Sequence, residues 1–496
     1  MTGFELLLIS TIFCMISSIL FFLSSRKIKL AEVGELFLYA SFSSILASVL
    51  LLLYYILTDD FSILYVYLNS QREMTIWFKI CALWAGKEGS LLLWNFLNLL
   101  VASVFVNHGK KDLKKAKIIA HLLALNSSLL ILNLFSNPFI ELPFKHLNGI
   151  GMNPILRSFE MLIHPPIVFT GYALTALVYF SHLFGSPNRD LVRLAWLFLT
   201  AGIVLGGVWA YKTLGWGGFW GWDPVENSSL LPWLALTAYF HIKKGREFFA
   251  YLAMVFVIFT AFVTRSGILS SVHTFSQDAF GFAFLAILLT LSFPLFKRWK
   301  FEDFCFSSLI FSAMILVVLL GIVANFFRNV ERSYYLITFT PLFSLAILGI
   351  LYKFRESNRK LIHLGVILLF IGSNSVWFFE ERTSVVLNPS GSAYGVDFEF
   401  IDLNSFFDGE KFTTRVKILS SVGTFEPEIH FYDNWGQVKK ISIISTPFLD
   451  YYLAVNSVSQ DLIVIEFYKV PMISFVWIGS ALLILAEMIR FRKSKS

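Results

Sequence analysis

A run of tryptophans separated by glycines is the part of this sequence whose residue types point most clearly to chemistry. It extends from Trp216 to Asn227 and reads Trp-Gly-Gly-Phe-Trp-Gly-Trp-Asp-Pro-Val-Glu-Asn. Glycines let a backbone approach a flat ligand closely, and indole rings offer broad stacking faces. The alternative is an aromatic belt at a membrane surface, but a belt does not need large aromatics packed between glycines.

This run together with the residues on either side of it, residues 211–228, is called the tryptophan loop. Its composition predicts a site for a planar hydrophobic ring system larger than a nucleobase. Its end also carries a helix-start signal, with Asp223 as N-cap, Pro224 at the first helical position and Glu226 three residues after the cap. The residues expected to contact the ligand are Trp216, Gly217, Gly218, Trp220, Trp222 and Asp223.

Two histidines lie in segments on either side of the tryptophan loop in the chain. His164 begins the triplet His-Pro-Pro, and His273 ends the segment 264–273. One imidazole from each is suited to ligate the iron of a haem held flat on the tryptophans. The alternative is that each is a polar residue at the membrane interface, with no ligand.

Two further histidines, His241 and His363, are expected near the opposite face of the membrane. A helix from residue 224 to residue 241 is roughly 26 Å long, which is most of the ~30 Å thickness of the hydrocarbon core of a bilayer. His363 starts an apolar run just after Lys360, so both imidazoles are predicted at a similar depth. Two helices that offer one histidine each form the simplest bis-histidine site for a b-type haem. Histidines that snorkel to the interface are the alternative.

The elements that must position these residues are apolar helices. Hydrophobic residues make up 56% of the 496 residues and charged residues 15%, too little charge to cover a soluble protein of this size. We expect an all-α polytopic membrane protein with about thirteen transmembrane helices. Their predicted cores are residues 4–23, 36–57, 91–106, 118–135, 167–184, 194–210, 224–241, 248–263, 280–296, 306–324, 334–352, 361–378 and 472–488.

Basic residues gather in alternate connections between these runs and in the C-terminal tail. With thirteen spans they all fall on one side, which places the N-terminus outside and the C-terminus in the cytoplasm. The tryptophan loop, His164 and His273 then face outwards. Since this charge pattern accounts for the net charge of +7, no nucleic-acid partner is expected.

The connection before the last predicted span is long, polar and alternating in pattern, with turn signals such as Asp408-Gly409. We expect three parts: a helical bundle (1–379) that carries the tryptophan loop, a small extracytoplasmic β-rich domain (380–470), and a final span with a basic cytoplasmic tail (471–496). The three cysteines, Cys14, Cys81 and Cys305, form no Cys-x-x-Cys pair, so any thiol chemistry must belong to a partner.

Together these segments resemble the CcmF branch of the cytochrome c assembly proteins, a haem-handling family marked by a WWD loop. The likeness rests on residues 216–227, on the Leu-Ile-His-Pro-Pro of 162–166 and on 264–273. It is supported by the Trp-Ala-Gly-Lys-Glu-Gly-Ser of 84–90 and by 361–365. It covers most of the chain from about Trp77 to the tail, in the family's motif order.

The resemblance implies a haem lyase, a cytochrome c synthase component on the periplasmic side of a bacterial inner membrane. A CcmE-type haem chaperone would deliver substrate haem to the tryptophan loop, with His164 and His273 as axial ligands. His241 and His363 would hold a b-type haem that keeps the incoming haem reduced. The acceptor would be a Cys-x-x-Cys-His apocytochrome c, its thiols presented by a CcmH-type partner, and quinol is a further candidate partner. The resemblance identifies no catalytic residue in this sequence.

Three rival functions stay open at this point. A haem transporter or exporter would suit two haem sites at different depths, but a permanent inner b-haem argues against a simple path. A system II CcsA-like synthase usually has fewer spans and a separate β-rich partner. A non-haem ion or quinone translocator could use Lys87 and Glu88, yet it gives no reason for the tryptophan loop.

Overall fold

The structure, a computed structural model, describes residues 2–24, 29–110, 112–242, 244–269, 279–298, 306–357, 359–459 and 462–495. Most of these residues are helical. The helices are α1 (Gly3–Leu23), α2 (Lys29–Leu57), α3 (Leu64–Asn69), α4 (Ile76–Ala82), α5 (Lys87–Asn107), α6 (Leu113–Phe135), α7 (Phe159–Leu183), α8 (Arg189–Thr213), α9 (Pro224–His241), α10 (Arg246–Ser266), α11 (Ala283–Arg298), α12 (Phe306–Asn325), α13 (Arg332–Lys353), α14 (Lys360–Phe379) and α15 (Ile473–Lys495).

Every predicted membrane-spanning core coincides with one of these helices. Among the described residues, eleven helices are long and apolar enough to cross a membrane. The two remaining cores fall on α9, whose first turns carry Glu226 and Asn227, and on α11, which has 16 residues and contains Pro294. The prediction of a polytopic helical membrane protein is confirmed, with eleven spans supported by length and composition.

Small polar residues hold the first two spans together. The hydroxyl of Ser10 donates to the carbonyl of Ser41 at 2.9 Å, and the hydroxyl of Ser41 donates to the carbonyl of Ser10 at 2.8 Å. Ser17 makes a similar bond to the carbonyl of Gly34 at 2.7 Å. In a bilayer, where apolar burial gives little drive for helix association, small residues that allow close backbones supply it.

The chain divides into two compact units, which we name the helical unit and the mixed unit. The helical unit comprises residues 1–152, 162–203 and 222–342. The mixed unit comprises residues 153–161, 204–221 and 343–496, and it contains all the named strands.

The strands of the mixed unit form two antiparallel sheets. The strands are β1 (Glu381–Leu387), β2 (Ser390–Ala393), β3 (Val396–Phe407), β4 (Phe412–Ser420), β5 (Gly423–Phe425), β6 (Glu428–Tyr432), β7 (Gly436–Lys440), β8 (Ser442–Ser445), β9 (Leu449–Val458) and β10 (Ile463–Pro471). One sheet has four strands in the order β1-β10-β9-β8, and the second has the order β2-β3-β4-β6-β7 with β5 paired to β4.

One apolar core joins the two sheets, and it contains Phe398, Val416 and Phe425 from one sheet with Ile465 and Phe467 from the other. Alternating strands bury every second residue, which is the pattern that the sequence showed in this region. The predicted β-rich region near the C-terminus is confirmed.

The four-stranded sheet continues directly into two helices. Strand β1 begins two residues after α14 ends, and α15 begins two residues after β10 ends. β1 and β10 are paired neighbours, and α14 and α15 approach closely enough that a Cβ on Gly365 would lie 2.7 Å from the carbonyl oxygen of Gly479. A helix pair and a strand pair therefore form one antiparallel ribbon, held by small residues at the helix crossing.

Candidate functional site

The tryptophan loop has two structurally different halves. The first, residues 214–221, is called the glycine-rich arm, and the second, residues 222–227, is called the capped end. The arm belongs to the mixed unit and the capped end to the helical unit.

Glycines let the backbone of the arm lie directly against strand β10. Gly215 and Gly217 both have a φ of +75°, a region that residues with a Cβ seldom adopt. A Cβ on Gly217 would lie 2.7 Å from the ring of Tyr468. The Tyr468 hydroxyl donates to Glu466 Oε2 at 2.6 Å, and its oxygen lies 3.4 Å from the carbonyl oxygen of Gly215. Gly217 is therefore required both for its backbone conformation and for space.

An aromatic cluster supports the arm from the ribbon. Phe219 stacks on Trp377 with ring centroids 6.1 Å apart and an angle of 13°, and it meets Trp477 edge-on at 6.1 Å. Trp377 lies near the end of α14 and Trp477 near the start of α15. Trp220 packs against the same cluster. The arm thus rests on indoles at the place where helix turns into strand.

A buried carboxyl group also lies in this cluster. The Tyr211 hydroxyl at the end of α8 donates to Asp450 Oδ2 at 2.9 Å. Burial raises the pKa of Asp450, and the hydrogen bonds from Tyr211 and Ser445 offset only part of that rise. The protonated form is therefore favoured more here than in water.

Two indoles of the arm stay partly accessible. Trp216 and Trp220 are half-buried, whereas Phe219 is buried. The Nε1 atom of Trp216 is buried and has no hydrogen-bond acceptor among the described residues. Because a buried indole N–H usually has a partner, this donor is suited to a ligand that brings an acceptor.

The indole of Trp222, in the capped end, is packed away. It is 3% exposed, and it stacks on Tyr335 with centroids 4.7 Å apart and an angle of 7°. Phe339 meets it edge-on at 5.1 Å. Its backbone has a φ of +57°, a strained value for a bulky residue, and its carbonyl accepts a 2.8 Å bond from the Asn227 side chain. In this arrangement Trp222 anchors the loop, and its predicted contact with a ligand stays a prediction.

The helix that follows starts as the sequence predicts. Asp223 Oδ1 accepts from the backbone N–H groups of Val225 at 2.8 Å and Glu226 at 3.4 Å. Glu226 Oε2 accepts in return from the backbone N–H of Asp223 at 3.2 Å. This capping box satisfies donors that α9 would otherwise leave open.

His164 lies in α7 and is oriented by a neighbouring helix. Its Nδ1 lies 2.9 Å from the carbonyl oxygen of Gly202 in α8. A carbonyl only accepts, so Nδ1 carries the proton and the lone pair is on Nε2, as in metal-ligating histidines. His108, His121 and His182 bond instead to carbonyls of their own helices. The predicted partner, His273, lies outside the described residues.

A family model described as "Cytochrome C assembly protein" matches residues 84–270, which include His164 and the whole tryptophan loop. The chain belongs to the cytochrome c assembly protein family. Within this family it is similar to the probable cytochrome c-type biogenesis protein NrfE of Escherichia coli, with 28% identity over 90% of this chain and 92% of the relative. It is also similar to the cytochrome c-type biogenesis protein CcmF of Haemophilus influenzae, with 31% identity over 70% of this chain and 63% of the relative.

The match is shorter for other members of the family. The chain spans about half the length of several curated relatives, such as the Haemophilus influenzae NrfE, with 38% identity over 50% of this chain and 44% of the relative. The solved structure of a cytochrome c haem lyase CcmF has the same fold, with a TM-score of 0.79, 18% identity and coverage of 98% of each chain.

His241 and His363 of this cytochrome c assembly protein each lie near one end of a helix. His241 is the last residue of α9, where its Nδ1 lies 2.8 Å from the carbonyl of Thr237 and its ring lies 5.0 Å from that of Phe311. His363 is in the first turn of α14, and its Nδ1 lies 2.9 Å from the hydroxyl oxygen of Ser357. Their shared haem stays a prediction.

The sequence did not reveal the aromatic partners of the loop. Tyr335, Trp377 and Trp477 lie far from the tryptophan loop in the chain, inside apolar runs where one more aromatic residue carries no signal. A second missed feature is a reciprocal pair of tryptophan–threonine hydrogen bonds between α8 and α9. Trp196 Nε1 donates to Thr237 and Trp233 Nε1 donates to Thr200, each at 2.8 Å. The signal available was spacing, since each threonine follows a tryptophan of its own helix by four residues.

Proposed function

We propose that this chain is a haem lyase component of cytochrome c maturation, acting with partners. The observation that carries the proposal is the glycine-rich arm. Its backbone is held against Tyr468 by glycines, its Phe219 ring contacts Trp377 and Trp477, and Trp220 packs against the same aromatic cluster. Such a surface suits a flat, apolar macrocycle of the size of haem.

The donor set fits haem as substrate. The Nε2 lone pair of His164 and the imidazole of His273 supply the two axial ligands. The hydrogen bond from His164 to Gly202 fixes the orientation and the tautomer of the ring. A CcmE-type chaperone delivers the haem, and a CcmH-type partner presents the thiols of the Cys-x-x-Cys-His apocytochrome c. Trp216, Gly217, Gly218, Trp220, Trp222 and Asp223 form or hold the receiving loop.

The decisive experiment separates the outer site from general folding. His164→Ala and His273→Ala should each abolish or sharply reduce cytochrome c maturation in a complementation assay, while the purified proteins keep their b-haem. His121→Ala is the matched control, because its imidazole also bonds through Nδ1 but only to Lys117 of its own helix. Wild-type maturation in both the His164 and His273 variants contradicts the proposal.

In the same proposal, His241 and His363 would hold a resident b-type haem, and this group would supply electron-transfer chemistry to keep the incoming haem reduced, with quinol as a candidate donor. Purified protein should give a low-spin b-type spectrum and a pyridine haemochrome of b-type haem. Replacing either histidine by alanine should remove most of this haem, because one imidazole holds the iron weakly. Unchanged haem content in both variants contradicts the assignment.

The proposed topology has thirteen spans in a bacterial inner membrane, the N-terminus outside and the attachment site on the periplasmic side. Single cysteines at Ser186 and Ser271, on a background without the native cysteines, test it. An impermeant maleimide added from outside should label position 271 and leave position 186 unlabelled. Equal labelling of both positions contradicts the thirteen-span arrangement.

A further inference from the structure

Arg265, in the last turn of α10, is a buried guanidinium with incomplete hydrogen bonding. Its exposed fraction is 7%. Nη2 donates to the hydroxyl of Ser90 at 3.1 Å, whereas Nε is buried and has no acceptor among the described residues. A buried charge that is not paired is costly, so a structure retains it where an anion is to bind.

The described groups around Arg265 are mostly positive. Glu88 at the start of α5 is the carboxylate that attracts Arg265 electrostatically, but Lys87 Nζ lies 3.8 Å from Glu88 Oε1. The start of α5 adds positive potential, since its N-cap Gly86 has no side-chain cap. Among the described residues, Arg265, Lys87 and the N-terminus of α5 are the positive groups beside the carboxylate of Glu88.

Aromatic rings cover the apolar side of the same guanidinium. Its Cζ lies 5.7 Å from the ring centre of Phe284. Phe284 stacks on Trp94 with centroids 6.3 Å apart and an angle of 4°. These rings exclude water from the charge, which strengthens any hydrogen bond that an incoming carboxylate makes there.

Helix register places Arg265 at the level of the capped end. The hydroxyl of Thr260 in α10 donates to the carbonyl of Ser228 in α9 at 2.8 Å, and the two helices are consecutive and antiparallel. Arg265 lies five residues beyond Thr260, and Asp223 lies five residues before Ser228. At about 1.5 Å per residue both are displaced by about 7.5 Å towards the same end of the helical unit.

We propose that Arg265 binds a carboxylate of the ligand whose iron His164 coordinates, and that this carboxylate is a haem propionate. The inference rests on the proposed function, because the latter supplies the haem. The guanidinium would give the carboxylate two charge-assisted hydrogen bonds, from Nε and from one terminal nitrogen. Arg265 is then a positioning residue that sets how the macrocycle is turned on the tryptophan loop.

The test compares metal-free protoporphyrin IX with its dimethyl ester, which lacks both carboxylates. Without iron, histidine ligation does not contribute, and binding to the purified full chain in detergent is followed by quenching of tryptophan fluorescence. Wild type should bind the diacid about tenfold more tightly than the ester, the size expected of a charge-assisted hydrogen bond. R265Q should bind both compounds with the affinity that wild type has for the ester, so that the preference for the diacid disappears.

Two further variants keep the result interpretable. R193Q removes another buried arginine, one that pairs with Asp190 at 2.8 Å at the start of α8, and it should keep the tenfold preference. R265K retains the charge but loses the planar fork, so it should fold if R265Q does not and should show a reduced preference.

A preference for the diacid that survives in R265Q and R265K, or equal binding of both compounds by wild type, overturns the inference while leaving the proposed function intact. Failure of wild type to bind either compound counts against both, and the maturation assay on the His164 variant then decides the proposed function independently.

Discussion

The glycine-rich arm and the capped end of the tryptophan loop are adjacent in sequence and both contain tryptophan, yet their structures suit different tasks. The arm takes positive φ values at glycines, keeps Trp216 and Trp220 half-buried, and leaves the Trp216 indole N–H without an acceptor among the described residues. The capped end takes its positive φ at Trp222, buries that indole against Tyr335, and satisfies its backbone with a capping box.

The difference shows that one aromatic motif contains two parts, an accessible surface in the arm and a packed anchor in the capped end. Where glycines carry the unusual backbone, the conformation costs little and the side chains remain available. Where Trp222 has the positive φ, packing and the capping box must offset the strain of that conformation, so this residue acts mainly on stability. Variants in the two halves should therefore fail in different assays.

Trp222→Ala should give the largest effect on stability. Removing a buried indole stacked on Tyr335 should cost on the order of 3–5 kcal/mol. Thermal unfolding of the detergent-purified protein should show a clearly lower Tm than for wild type. Trp220→Ala, in the arm, should lose maturation with a smaller change in Tm, and Trp220→Phe should retain more maturation than Trp220→Ala. If Trp220→Ala destabilises as strongly as Trp222→Ala, the division of the loop is wrong.

Gly217→Val should come next, and it should act on function through the shape of the arm. A Cβ there would lie 2.7 Å from the Tyr468 ring and would hold an unfavourable φ of +75°, at a cost on the order of 1–3 kcal/mol. We expect maturation to fall at least tenfold in the complementation assay. Gly349→Val is the control, because a Cβ at Gly349 in α13 has no neighbour within 4 Å. Similar losses in both variants would show that the close approach to Tyr468 is unimportant.

Asp223→Ala should have a smaller effect. It removes the N-cap of α9 and should cost about 1 kcal/mol. The expected result is a modest fall in Tm with maturation largely retained, since Trp222 still packs on Tyr335. Asp223→Asn, which keeps the capping oxygen, should restore most of the Tm. Complete loss of maturation in Asp223→Asn would instead assign the carboxylate a direct role with the ligand.

Asp450→Asn should have the smallest effect, and its sign depends on pH. Because the folded protein raises the pKa of Asp450, it binds the proton more tightly than the unfolded chain does. The contribution of Asp450 to stability is therefore greatest below about pH 3.9, the unfolded value, and declines as the pH rises through the folded pKa. At pH 7 the asparagine variant, which keeps an acceptor for Tyr211, should be at least as stable as wild type. The measurement is the Tm of the variant minus the Tm of wild type at each pH. If this difference is more negative at pH 7 than at pH 4, the prediction is wrong.

Local patterns were enough to predict the spans, the β-rich region and the start of α9, since each depends on residues close in sequence. The hydropathy of α9 shows the limit of that reasoning. Glu226 takes part in the capping box and Asn227 donates to the Trp222 carbonyl, and these polar residues lower the mean hydropathy of the helix. Contacts such as Trp222 with Tyr335 depend on how distant helices pack, and no single-residue signal marks them. The same holds for Arg265, whose motif was visible although its burial beside Ser90 was not.

The ribbon formed by α14, β1, β10 and α15 has a mechanical consequence. With one residue at each junction, and with Gly365 packed against Gly479, a rotation of the sheet is expected to tilt both helices. His363 lies at the far end of α14, sixteen residues from Phe379, or about 24 Å of helix. We therefore expect this ribbon to couple the two ends, so that a protein that binds the strands would also shift the imidazole of His363.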